Sequence, residues 1–146
     1  MNYKLLLVLI LSYSLAFSVN FMPSIKHPDS NMNMLNLLVS LLFVLILFLY
    51  ARKGNKIFRI FTIAGVTSGI IVFVITRFEH LMYNNVLLDM IASIQYPLYL
   101  IFITPLFGGN IAFGMSYGAY GLLMSLVYGL VFIVSTGFKK KNVQYV

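Results

Sequence analysis

Leucine, isoleucine, valine and phenylalanine run with few interruptions through five stretches of the chain, residues 5–22, 34–50, 57–76, 86–107 and 111–138. A membrane-crossing helix needs about 20 mostly apolar residues, within a range of about 17–25. The runs are continuous, whereas a membrane strand would alternate apolar and polar positions over about 10 residues. A helix also pairs each backbone N–H and C=O locally, as hydrocarbon requires. The pattern therefore predicts an all-α integral membrane bundle of five hydrophobic helices, with residues 1–146 forming a single multi-pass domain.

Short polar connections separate the runs: SIKHPDSN near Lys26, ARKGNK from Ala51, RFEHLMYNN from Arg77, and Gly108-Gly109-Asn110. None is long enough for a domain outside the bundle, and no internal repeat is visible. The first stretch has two readings. One lysine, an apolar run and then small residues around Ser14-Leu15-Ala16 also fit a secretory signal peptide. An uncleaved first helix is preferred, because a multi-pass protein needs no separate signal.

Composition supports the same class. The chain is 61% hydrophobic and 9% charged, against about 45–50% and about 25% in soluble domains. The net charge of +7 would suggest nucleic acid in a soluble protein. Here the basic residues flank apolar runs, so membrane lipid is the expected partner and nucleic acid is not. The chain has no cysteine, which excludes disulfides and Cys-based zinc sites. No cofactor is expected, and the predicted location is the cell membrane.

Basic flanks mark the cytoplasmic side. Arg52, Lys53, Lys56 and Arg59 are the densest cluster and assign the second connection to that side, with Lys4. Five crossings would then carry Lys139, Lys140 and Lys141 outside with Lys26 and Arg77, a five-to-five balance that decides nothing. Four crossings would bring the tail back and give eight against two. The fourth stretch is the weakest span, since it holds Asp89, Gln95, Pro97 and Pro105 before Gly108-Gly109, and proline removes a helical donor. It reads either as a kinked crossing or as a re-entrant segment. Five crossings are preferred on length.

Two constellations carry candidate chemistry. Asp89, Ser93 and Tyr96, at i, i+4 and i+7, share one face of the fourth helix. Facing the interior, they would form an ion or proton site; the plainer reading is a carboxylate at the membrane edge. Gly65 and Gly69 form a GxxxG, as do Gly114 and Gly118, and Gly121, Ser125 and Gly129 continue small residues at every fourth position. Such rows let helix backbones approach closely, either within the chain or with another copy or another membrane protein. His27, Asp29, Glu79 and His80 lack a metal-binding pattern and read as loop residues. Tyr3, Tyr50, Phe58, Phe78, Tyr83 and Phe138 read as interface anchors. No GxSxG, HExxH or phosphate loop occurs. The sequence is therefore expected to encode a non-enzymatic accessory, regulatory or immunity-type factor acting through helix contacts, with a small oligomeric transporter or channel subunit using Asp89 as the alternative.

Overall fold

The computed structural model describes residues 3–27, 31–53, 55–82 and 85–143, with side chains through residue 137. All regular structure among them is helical: α1 (Tyr3–Lys26), α2 (Met34–Ala51), α3 (Lys56–Met82), α4 (Val86–Ala92), α5 (Gln95–Leu98), a π-helical turn (Tyr99–Ile103), a 3-10 segment (Thr104–Ile111) and α6 (Tyr117–Val143). Among the described residues, five segments are long and apolar enough to cross a membrane, with Val86–Ile111 as the fourth. The last helix starts at Tyr117 and not at residue 111. Residues 112–116 form a turn in which Gly114 adopts φ +57°. Gly114 therefore lies outside the helix and forms no GxxxG with Gly118.

The long helices alternate in direction. On α1 and α2, the Tyr13 and Phe43 rings meet at 5.6 Å, and Asn20 reaches Ser40 and Asn36. Asn33 caps α2 by accepting from the Leu35 and Asn36 amides at 3.0 and 3.3 Å, while Asn36 Oδ1 accepts from the Asn33 amide. This reciprocal cap satisfies donors that the first helical turn would leave unpaired. α6 runs antiparallel to α3: Gly118 lies beside Thr76, Gly69 beside Gly121 and Ser125, and Gly65 under the Tyr128 ring. Arg59 closes the far end of the seam, donating to the Ser135 carbonyl at 3.1 Å. The predicted small-residue rows thus face each other within one chain. A Cβ on Gly69 would stand 2.3 Å from the Gly121 carbonyl oxygen, a contact that only glycine permits.

The fourth apolar segment does not run the length of the bundle. Gln95 meets Thr76, near the end of α3. Phe102 then packs deep in the bundle, its ring 5.3 Å from Phe61 and its carbonyl accepting from Tyr128. Four residues later the Leu106 carbonyl accepts from Tyr120, two turns back toward the start of α6. Phe107 then packs on His27 at 5.4 Å, and the Asn110 side chain holds Met115. The Tyr99 and Phe107 rings lie 6.1 Å apart, whereas eight residues of straight α-helix would rise about 12 Å. The segment goes in along α4, α5 and the π turn and comes out along the 3-10 segment. Both of its ends lie at the same end of the bundle.

This geometry corrects the preference for five end-to-end passages: four helices run the full length, and one hairpin enters and leaves together. The start of α1, the α2–α3 connection and the end of α6 then share one end, with Lys4, Arg52, Lys53, Lys56, Arg59 and the Lys139–141 segment. Lys26, Arg77, Glu79, His80 and Asp89 belong to the other end. Asp29, Gly54 and Tyr83 lie outside the described residues, as do the side chains of Phe138 and the three tail lysines. Two expected interface anchors are core residues instead: Tyr50 and Phe58 are buried and stack edge-on at 4.9 Å.

The seam generates a contrast between two glycines. Gly69→Ala drives a methyl into backbone and should destabilise the detergent-purified protein by about 1–3 kcal/mol, as overpacking does. At Gly129 a Cβ would meet its nearest atom, on Val66, at 4.0 Å, so Gly129→Ala should leave the melting temperature unchanged or slightly raised. Equal behaviour of the two variants in a thermal melt would contradict the α3–α6 packing.

Candidate functional site

Several backbone carbonyls of the hairpin accept hydrogen bonds from side chains of the surrounding helices. Pro105 has no N–H, so Ile101 loses its i+4 donor; Tyr13 on α1 donates to that carbonyl at 3.0 Å. Tyr128 donates to the Phe102 carbonyl at 2.8 Å. The Pro105 carbonyl accepts from Asn20 Nδ2 at 3.2 Å and from Ser40 Oγ at 3.1 Å. Tyr120 donates to the Leu106 carbonyl. Ser24 and Thr104 share a hydroxyl contact at 3.1 Å.

A second proline is treated the same way. Pro23 in α1 cannot donate to the Val19 carbonyl, and Asn36 Nδ2 reaches across from α2 to do so at 3.0 Å. Asn36 also donates to Asn20 Oδ1 at 3.1 Å, while Asn20 donates to Ser40 Oγ at 2.9 Å and Ser40 Oγ accepts from the Gly108 amide at 3.1 Å. Asn20, Asn36 and Ser40 are all buried. Buried polar groups need partners, and this network joins α1, α2 and the returning limb through theirs. Gly108 makes the approach close: a Cβ there would sit 1.9 Å from the Asn36 carbonyl oxygen.

Sequence reasoning singled out Pro97, Pro105 and Gly108-Gly109 but missed the residues that hold them. A signal was present. Ser12, Ala16, Asn20 and Ser24 are the buried residues of α1, and they recur at every fourth position, one stripe of a helix. Asn36 and Ser40 repeat that spacing on α2.

Asp89, Ser93 and Tyr96 do not face the interior. All three are exposed. Ser93 Oγ donates to the Asp89 backbone carbonyl at 3.0 Å, and among the described residues the Asp89 carboxylate has no hydrogen-bond or ion-pair partner. Ala92 is the only buried residue of α4; the hairpin turns its packed face inward through Gln95 and Tyr99. The packed face is the neighbouring one, with Ala92, Gln95 and Tyr99 buried at i, i+3 and i+7, which leaves the Asp89 row pointing outward. The expected interior ion site is therefore corrected to a surface row.

An opening of about 320 Å³ lies between the last turn of α1 and the hairpin, lined by Ser24, Ile25, His27, Tyr96, Tyr99, Leu100, Phe107 and Tyr117. The Tyr99 and Tyr117 rings stack at 4.0 Å, and among the described residues their buried hydroxyls have no hydrogen-bond partner. Asn110, beside His27, bonds Met115 through both its amide nitrogen and its oxygen, at 2.9 and 2.8 Å. The arrangement can bind a polar group through phenols against aromatic walls. Among the described residues no group of three or more His, Cys, Asp or Glu could hold a metal ion.

The network predicts that Asn20→Ala, which strips donors from Pro105 and Ser40, costs about 1–3 kcal/mol, the usual penalty for leaving buried groups unpaired. Gly108→Ala should cost at least as much, because its new methyl meets backbone. Thermal unfolding in detergent checks both, and wild-type stability of the pair would contradict the clamp.

No protein-family model, no curated protein and no solved structure matches the chain, so its function rests on its own geometry.

Proposed function

We propose that the chain is a small, non-enzymatic, multi-pass protein of the cell membrane with four crossings and one re-entrant hairpin, acting as an accessory or regulatory factor through contacts between helices. Support for the membrane comes from five apolar segments of spanning length and from the apolar outer surface of the bundle, with residues such as Leu38, Leu126 and Ile133 exposed. Support for the topology comes from charge. With the hairpin returning to its own side, eight basic residues lie at one end and Lys26 and Arg77 at the other, the asymmetry expected of a cytoplasmic face. The tail then ends inside.

The observation that carries the accessory reading is α4. Val86, Leu87, Met90 and Ile91 are more than half exposed, and Asp89 shares this uncovered helix. A carboxylate amid apolar side chains is costly against lipid, whereas a neighbouring membrane protein offering a donor would cover both. Asp89, Ser93 and Tyr96 thus serve as a contact row. The ion-site alternative is not carried forward, because it required those residues to face a cavity in the interior.

A photo-reactive amino acid at Leu87 or Met90 tests this reading, with Leu126 on α6 as a lipid-facing reference. The expected result is a discrete protein adduct from the α4 positions in native membranes, weakened by Asp89→Asn, and none from Leu126. An adduct of twice the chain's mass would identify the partner as a second copy. Lipid adducts alone at all three positions would contradict the proposal.

A further inference from the structure

Because the hairpin turns back, it fills the space beside α1 only from the Lys26 end down to the level of Tyr13 and Phe61, the residues that meet Ile101 and Phe102. Beyond that level, toward the basic end, lies a cavity of about 360 Å³. Its walls come from Leu6 and Leu9 on α1, Phe43 and Leu47 on α2, and Phe58 and Phe61 on α3. A full-length fifth helix would have occupied part of this space. The lining is almost wholly apolar, and such cavities stay dry. An empty cavity of this size would also forfeit packing on every wall.

Basic residues neighbour the lining of the cavity in sequence. Asn55 and Ile57 line it, between exposed Lys53 and Lys56, and exposed Lys4 stands just before Leu6 at the start of α1. Among the described residues no acid lies at this end: Glu79 and Asp89 belong to the opposite end. Basic pockets between helices on the cytoplasmic side suit anionic lipid headgroups.

From the apolar walls and these neighbouring basic residues together we infer that this cavity is the seat of one anionic phospholipid of the inner leaflet. An acyl chain fills the space under the hairpin, and the phosphate lies among Lys4, Lys53 and Lys56. The inference rests on the membrane reading above. It gives the lipid a structural part, as the filler of the half-slot that the hairpin leaves open, and makes the protein's packing sensitive to the composition of the leaflet.

The chain has no tryptophan, so one introduced indole reports on a single place. Leu9→Trp puts it in the cavity wall, Leu6→Trp provides a second position should the first fail to fold, and Leu126→Trp reports ordinary lipid on α6. Each variant is reconstituted in vesicles of phosphatidylcholine with a minor fraction of phosphatidylglycerol, with brominated acyl chains on one lipid or the other. The expected result is severalfold stronger quenching of the cavity tryptophan when bromine is on the anionic lipid, corrected for its mole fraction. The preference should disappear in the triple variant Lys4→Gln, Lys53→Gln, Lys56→Gln and be absent at Leu126→Trp. Equal quenching by both lipids would overturn the selectivity. A cavity tryptophan that neither lipid quenches, beside a quenched Leu126→Trp, would overturn the lipid seat and show the space closed or filled by protein. If Leu126→Trp is also unquenched, the membrane reading itself fails, and this inference with it.

Discussion

Pro105 cannot donate a hydrogen bond, and the chain around it changes from α-helix to π turn to 3-10 segment in the middle of an apolar bundle. Several carbonyls there accept from side chains of neighbouring helices, and in the proposed membrane setting irregular backbone is tolerated only where protein or a water-filled cavity surrounds it. The rest of the fold follows from that demand. Tyr13, Asn20 and Ser40 come from α1 and α2, while Tyr120 and Tyr128 come from α6. Three helices are thereby fixed around one hairpin, and Thr76 of α3 meets it through the Gln95 side chain. Asn36 extends the same economy to α1, replacing the donor that Pro23 lacks.

In a bilayer these polar contacts matter for a further reason. Lipid is as apolar as leucine, so burying leucine does little to bring helices together; close packing and interhelical hydrogen bonds do more. The bundle divides the two tasks. The α3–α6 seam is built on small residues, with Gly65 under a Tyr128 ring and Gly69 against the Gly121 backbone. The opposite half, α1 and α2 against the returning limb, is built on the Asn20–Asn36–Ser40 network. Tyr128 belongs to both: its ring lies over Gly65, and its hydroxyl holds Phe102.

Much of this was legible in the residues. Continuous apolar runs placed five segments of spanning length, with α3 and α6 each differing from the expected limits by six residues at one end, and the glycine rows gave a close contact of the right kind. The hairpin was visible only as an alternative, because length and hydropathy cannot distinguish a segment that crosses from one that turns back halfway. The charge count leaned toward the return, which alone gathers the tail lysines with Arg52–Arg59, but length carried the greater weight. Asp89 was misread for a related reason. Its i, i+4, i+7 row does share one face, but spacing alone does not say which face packs, and the inward one carries Ala92, Gln95 and Tyr99. The Tyr128 and Tyr120 clamps pair residues 26 and 14 positions apart, beyond the reach of any local pattern.

The central claim is that residues 86–111 enter and leave on one side, and paired cysteine accessibility tests it most directly. The native chain has no cysteine, and Val86 and Phe113 flank the hairpin with exposed side chains. Single variants Val86→Cys and Phe113→Cys should both react with a membrane-impermeant thiol reagent in intact cells, while Lys53→Cys and Lys140→Cys should react only after permeabilisation. Labelling of residues 86 and 113 from opposite sides would mean that the segment crosses, and the account of the fold built on its return would be wrong.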